Sequence, residues 1–295
     1  FLLPADRSHF FSAMRFTYMV VNTVVFMLIG LALGKHPPLW LVQAVIAGAG
    51  VLLLGRQYFI GRLPVEPGGV QKPACSLSEA LGISIRNAPL TGFSVYACCL
   101  TFANCAVLPL CFVYLRSRLE TPANLVVMIS SLGMAGTIGG YLVAGRLIRS
   151  LGTRTVQIIT HAVFILVPLG CLFCGKGVPG AAALMAGLLV VNSFMGACFS
   201  VCNSSEMLAL ARPGNRTMAV AFCNTFINFG TAVSRAGVAL TMGSGLLAAE
   251  WTWHGAVISR HQSVFLFFAL AASFFLMLLV LIPSVVPRHE DYYEP

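Results

Sequence analysis

Charge is what this chain has least of. Aspartate, glutamate, lysine and arginine make up 9% of its 295 residues, against roughly a quarter in soluble domains. So few ionisable side chains cannot cover the surface of a soluble fold of this length, and a soluble enzyme or binding module is excluded. Acid is the scarcer sign, with nine carboxylates against 18 basic side chains. The motifs of enzymatic chemistry are missing too: no HExxH, no GxSxG, no paired carboxylates and no glycine-rich loop after a strand. No secretory signal peptide is visible. The chain opens at Phe1, and FLLPADRSHF reads as a helix end entering a loop, so a segment of a larger protein is expected.

Cysteine is present without a pattern. Nine of the ten lie in apolar stretches, Cys75 being the exception, and there cysteine packs as a small hydrophobe. Cys171 and Cys174 form a CxxC, but inside an apolar run and with no histidine or second CxxC beside it. Neither a metal site nor a cofactor is expected.

What the chain does have is apolar length. It is 58% hydrophobic with a mean hydropathy of +0.88. Residues 125–145 and 263–286 contain no Asp, Glu, Lys, Arg or His, and each is long enough to cross the roughly 30 Å hydrocarbon core of a bilayer. The reading is an all-α, polytopic membrane helix bundle with eight transmembrane helices. They fall near 10–34, 38–61, 90–116, 122–148, 153–175, 180–211, 216–248 and 262–287. Short turns such as GKHPP (34–38), GKGVPG (175–180) and ARPGNR (211–216) make successive spans antiparallel. One connection, 62–89, is long and rich in Pro, Gly and Ser, with a short surface helix expected over 78–85. It divides the chain into residues 1–61 with two helices, a central linker 62–89, a six-helix part over 90–287 and a tail over 288–295.

The net charge of +9 would suggest nucleic acid in a soluble chain, but here it follows loop topology, and no nucleic-acid partner is expected. Twelve Lys and Arg fall on one set of alternate loops and five on the other. That bias places the N-terminal loop, the linker and the C-terminus in the cytoplasm. The membrane is expected to be a plasma or inner membrane.

Within the six-helix part, the second helix (SSLGMAGTIGGYLVAG) and the fifth (FGTAVSRAGVALTMGSG) are both dense in glycine. Gly136 and Gly140 form a GxxxG, which lets helix backbones approach closely. Glycine-rich helices three apart are what a 3+3 inverted repeat produces. After the second of these helices comes GRLIRSLGTR (145–154). It resembles the GxLxDRxGRR-like cytoplasmic loop of the major facilitator superfamily of secondary transporters: Gly145, Leu147, Gly152 and Arg154 match, Arg149 replaces the acidic residue and Ser150 the first arginine. PADRSHFFSAMR (4–15) resembles the loop entering the fifth helix of that family, and ARPGNRTMAVAF (211–222) the loop between the tenth and eleventh. The resemblance implies helices five to twelve of a major-facilitator-like bundle, with the first four helices as missing partners. It also implies alternating-access transport of a small-molecule substrate, with the lipid bilayer as surroundings. A membrane-embedded lipid-modifying enzyme and a non-transporting helical fragment are the rival readings.

The same resemblance makes helices 90–116 and 180–211 line the central cavity, so Tyr96, Asn104 and Asn192 become substrate contacts. Arg235 is singled out by charge alone. It lies past the midplane of its predicted span, where a guanidinium needs a cavity, a partner or the headgroups, so it either meets an anionic substrate, pairs with something in the missing helices or snorkels outward. Glu206 is the one acidic residue within a predicted span and is a candidate for coupling or gating, together with Gly145, Arg149, Gly152 and Arg154 of the signature loop. His161, alone on an apolar face, reads as a hydrogen-bonded packing residue. Asn22, Asn224 and Asn228 belong to helices expected to face the other half.

Overall fold

A computed structural model describes residues 4–33, 39–62, 76–175, 178–212, 214–253 and 256–281. The GKHPP turn, most of the linker (63–75) and the tail lie outside the described residues. The chain forms α1 (Pro4–Leu33), α2 (Leu39–Gly61), α3 (Leu77–Arg86), α4 (Ala88–Asn104), α5 (Val107–Ser117), α6 (Ala123–Leu151) and α7 (Thr153–Leu172). Then follow α8 (Ala181–Leu210), α9 (Arg216–Gly243), a hairpin of β1 (Glu250–Trp253) and β2 (Ala256–Ser259), and α10 (Arg260–Leu281). Five spans are long and apolar enough to cross a membrane among the described residues: Ala88–Ser117, Leu125–Leu151, Thr153–Leu172, Ala181–Leu210 and Arg260–Leu281. The glycine-rich fifth helix of the six-helix part, α9, is as long but carries Asn224, Asn228, Ser234 and Arg235, and it is not among them.

Two compact units divide the chain, residues 17–75 and residues 1–16 with 76–295. In the smaller one, α2 is apolar without a polar stripe, and Ile46, Leu52 and Leu54 are exposed. The larger unit holds six transmembrane-length helical passes and the functional candidates.

Its helices end where local chemistry dictates. Ser76 caps α3, accepting the Glu79 N–H at 3.2 Å, and Asn87 caps α4 through the Leu90 N–H. Between α6 and α7 the chain reverses at one residue, Gly152, with φ +78°, a conformation that costs glycine little. The span expected over 90–116 stands as Ala88–Ser117, with a local break in its helical hydrogen bonding where Cys105 and Ala106 join α4 to α5 in right-handed helical conformation. Pro109 explains the break: it has no N–H for the Cys105 carbonyl, and its ring crowds that carbonyl. Two expectations shift. The seventh helix stops at Gly243 rather than near 248 and is followed by the hairpin, while the first begins at Pro4 rather than near 10.

The larger unit is built as two triads, α4/α5–α6–α7 and α8–α9–α10. The main contacts are α6 on α8, α9 on α4, α7 on α8, α10 on α4, and α7 on α10. Exchanging the triads, α4 with α8, α6 with α9 and α7 with α10, turns this set of contacts into itself. Glycine sits at both crossings. A Cβ on Gly136 would stand 2.6 Å from the Val190 carbonyl oxygen, and one on Gly140 would be 2.7 Å from the Ala197 Cβ. At the other crossing, a Cβ on Gly230 would collide with the Cys98 carbonyl.

Candidate substrate cavity

Beside the junction of α4 and α5, against α9, lies a cavity. It has a volume of about 590 Å³, within the usual range for ligand sites. Ala106 just before α5, with Pro109 and Phe112 of α5, forms one wall, and Arg235, Val238 and Met242 of α9 the other. Arg235 lies about 28 Å along α9 from Arg216, is exposed, and is the one charged group on the walls. It makes no ion pair or hydrogen bond among the described residues.

Asn104 ends α4 at the break, and its Oδ1 is buried with no partner among the described residues. Asn192, in the middle of α8, is 5% exposed and its Oδ1 is likewise unpaired. Bare amide oxygens inside a membrane bundle are costly unless something polar reaches them. No hydrogen bond joins Asn104, Asn192 and Arg235 to one another among the described residues, and only Arg235 lies on the cavity wall. Tyr96 is elsewhere, in the core among α4, α7 and α8, with its hydroxyl 3.1 Å from His161 Nδ1. That bond gives His161 a packing role. Gln157, one turn before His161 on α7, is fully buried with both amide atoms unpartnered among the described residues.

The loop residues cluster at the opposite end of the bundle. Arg149 is exposed in the last turn of α6, and Arg154 is half-buried at the start of α7. Gly145 lies against the start of α1: a Cβ there would stand 3.1 Å from His9 Cα and 3.2 Å from Ser12 Cβ. The Gly145 N–H donates to Ser12 Oγ at 3.4 Å, and Ser12 Oγ donates to the Tyr141 carbonyl. Arg15 donates to Ser200 and, at 2.6 Å, to Ser204 of α8. Glu206, one turn before the end of α8, is 4% exposed and within electrostatic reach of Cys202.

Sequence reasoning missed three parts of this picture. Pro109 carried a readable signal, a proline inside an apolar run, for the helix break. The Ser12 and Arg15 bonds to α6 and α8 join residues more than a hundred positions apart and had none. Ser234, buried with its hydroxyl unpartnered among the described residues, looked like any serine of a membrane helix.

The fold is the all-α, major-facilitator-like bundle that the sequence resembles. It superposes on the crystal structure of a bacterial homologue of the iron transporter ferroportin in an outward-facing state, with a TM-score of 0.72 at 13% sequence identity. The match covers 95% of this chain and 64% of that one, so the chain spans a little under two thirds of its neighbour's length. No protein-family model matches the chain, and no curated protein matches it in sequence.

Proposed function

We propose that this protein moves a small anionic solute across a membrane by alternating access, with the cavity between α5 and α9 as its binding place. The observation that carries the proposal is the exposed guanidinium of Arg235 on the wall of a ligand-sized cavity that Pro109 also lines, in a transporter-like fold. Asn104 and Asn192, which lie off this wall, are proposed as polar contacts elsewhere on the solute's path, and Tyr96 as a core residue outside the cavity.

The end of the bundle that holds Gly152 is the cytoplasmic one, since the Lys and Arg excess lies there. There the start of α1, seated on Gly145, Ser200 and Ser204, forms a gate with Arg149, Gly152 and Arg154. Glu206 is the coupling carboxylate. Eight crossings follow if α1, α2 and α9 span the membrane as well.

The structural neighbour's name concerns iron, and a cation is the rival cargo. A guanidinium on the cavity wall repels a divalent cation and attracts an anion. Uptake into liposomes containing the purified protein separates the two. A panel of inorganic phosphate, sulfate and dicarboxylates is expected to include a saturable substrate, with no saturable uptake of Fe²⁺ or Co²⁺. Saturable Fe²⁺ uptake with no anion transported would overturn the proposal.

A further inference from the structure

Across α9 from the Arg235 cavity lies a second one, of about 320 Å³, enclosed by α4, α9 and α10. Phe102, Val233, Gly237, Val264, Phe267 and Phe268 make most of its surface. The three phenylalanines form an edge-on cluster, with Phe102 6.3 Å from both Phe267 and Phe268, centroid to centroid.

Three hydroxyls reach this cavity, and two are engaged. Thr241 donates to the Gly237 carbonyl at 2.7 Å. Ser263 donates to Ser259 O and accepts the Trp251 indole N–H at 2.9 Å. Ser234 is 1% exposed, and its Oγ has no partner among the described residues. A serine in a membrane helix ordinarily turns back onto the carbonyl four residues earlier, as Thr231 does onto Ile227 at 3.0 Å. Ser234 does not, and it lines the cavity instead.

These facts narrow the occupant. Water needs two to four polar partners to stay in a cavity, and the wall offers one unengaged hydroxyl. No ionisable side chain lines the space, so a charged headgroup would be stranded. The volume lies at the small end of ligand sites, too small for a two-chain phospholipid. Val233 and Phe267 are exposed on the outer surface of their helices, which gives entry from the side.

We infer that the cavity binds an uncharged, membrane-soluble alcohol, an apolar chain or compact ring body whose single hydroxyl pairs with Ser234 Oγ. This inference does not depend on the transport reading. Val238 lines both cavities, so an occupant would also brace α9 behind the wall that carries Arg235.

The test is photolabelling of the intact protein in lipid nanodiscs with a diazirine-bearing 1-dodecanol. Crosslinks are expected on the peptides containing Val233–Thr241 and Val264–Phe268, suppressed by excess dodecanol and much less by dodecane. Ser234→Ala should lower labelling roughly five-fold, as loss of one neutral hydrogen bond does. Gly237→Leu fills the space and should abolish labelling without lowering the melting temperature, because a Cβ at Gly237 meets nothing within 4 Å. Labelling spread evenly over other helices, or unchanged in both variants, would overturn the site. Loss in Gly237→Leu with none in Ser234→Ala would overturn the ligand class.

Discussion

The two triads of the larger unit follow one packing rule and differ in how tightly they obey it. In the first, α6 meets α8 through two glycines a turn apart, and its backbone lies against the Val190 and Phe194 carbonyls. In the second, α9 meets α4 through Gly230 alone, and beyond that point α9 stands off from its neighbours with a cavity on each side. The first helices differ as well: α8 runs unbroken for 30 residues, while α4 and α5 are separated at Cys105–Ala106. A symmetric scaffold thus holds two cavities where the symmetry is relaxed, and with them Arg235 and Ser234, neither of which has a hydrogen-bond partner among the described residues. The tight crossing supplies rigidity and the loose one supplies sites.

The largest effect should come from filling the tight crossing. Gly140→Leu forces a side chain against the α8 backbone and should cost about 3 kcal/mol or more. It would be read as a collapse of the melting temperature in detergent, or as loss of folded protein. Gly230→Leu should do the same at the loose crossing, whereas Gly237→Ala, seven residues on, should change the melting temperature little. Equal sensitivity at Gly230 and Gly237 would break the comparison.

Pro109→Ala makes the first triad resemble the second. With an N–H restored opposite the Cys105 carbonyl, the helix should close. Stability should rise by about 1–3 kcal/mol, and amide exchange at Cys105–Val107 should slow. Uptake should fall as the cavity narrows, a trade of function for stability. A smaller effect is expected in the core. Tyr96→Phe strands His161 Nδ1 and should cost about 1 kcal/mol, with the substrate KM unchanged. A raised KM would bring Tyr96 into the binding site.

Much of this was readable from the chain. Apolar runs and loop signals located the helical passes, Gly152 the reversal, and Gly136 with Gly140 a close crossing, because each rests on local chemistry. Arg235 stood out because a charge in an apolar run is rare. The hairpin was not readable: two strands of four residues give too short an alternation to separate from a loop. Nor was the seat of α1 on α6 and α8, or the misfit of Ser234, since both depend on which distant helices meet. Asn104 and Asn192 were chosen for their polarity, and the structure adds that their oxygens lack partners among the described residues, while only Arg235 lies on the cavity wall.

The most direct test of the central claim is anion uptake into liposomes by three forms of the protein: unaltered, Arg235→Lys and Arg235→Ala. The account predicts that Arg235→Ala raises KM for the transported anion at least ten-fold. Arg235→Lys should recover part of the loss, since it keeps the charge and gives up the planar fork, and the melting temperature should be the same in all three. Anion uptake with the same KM in Arg235→Ala as in the unaltered protein would contradict it.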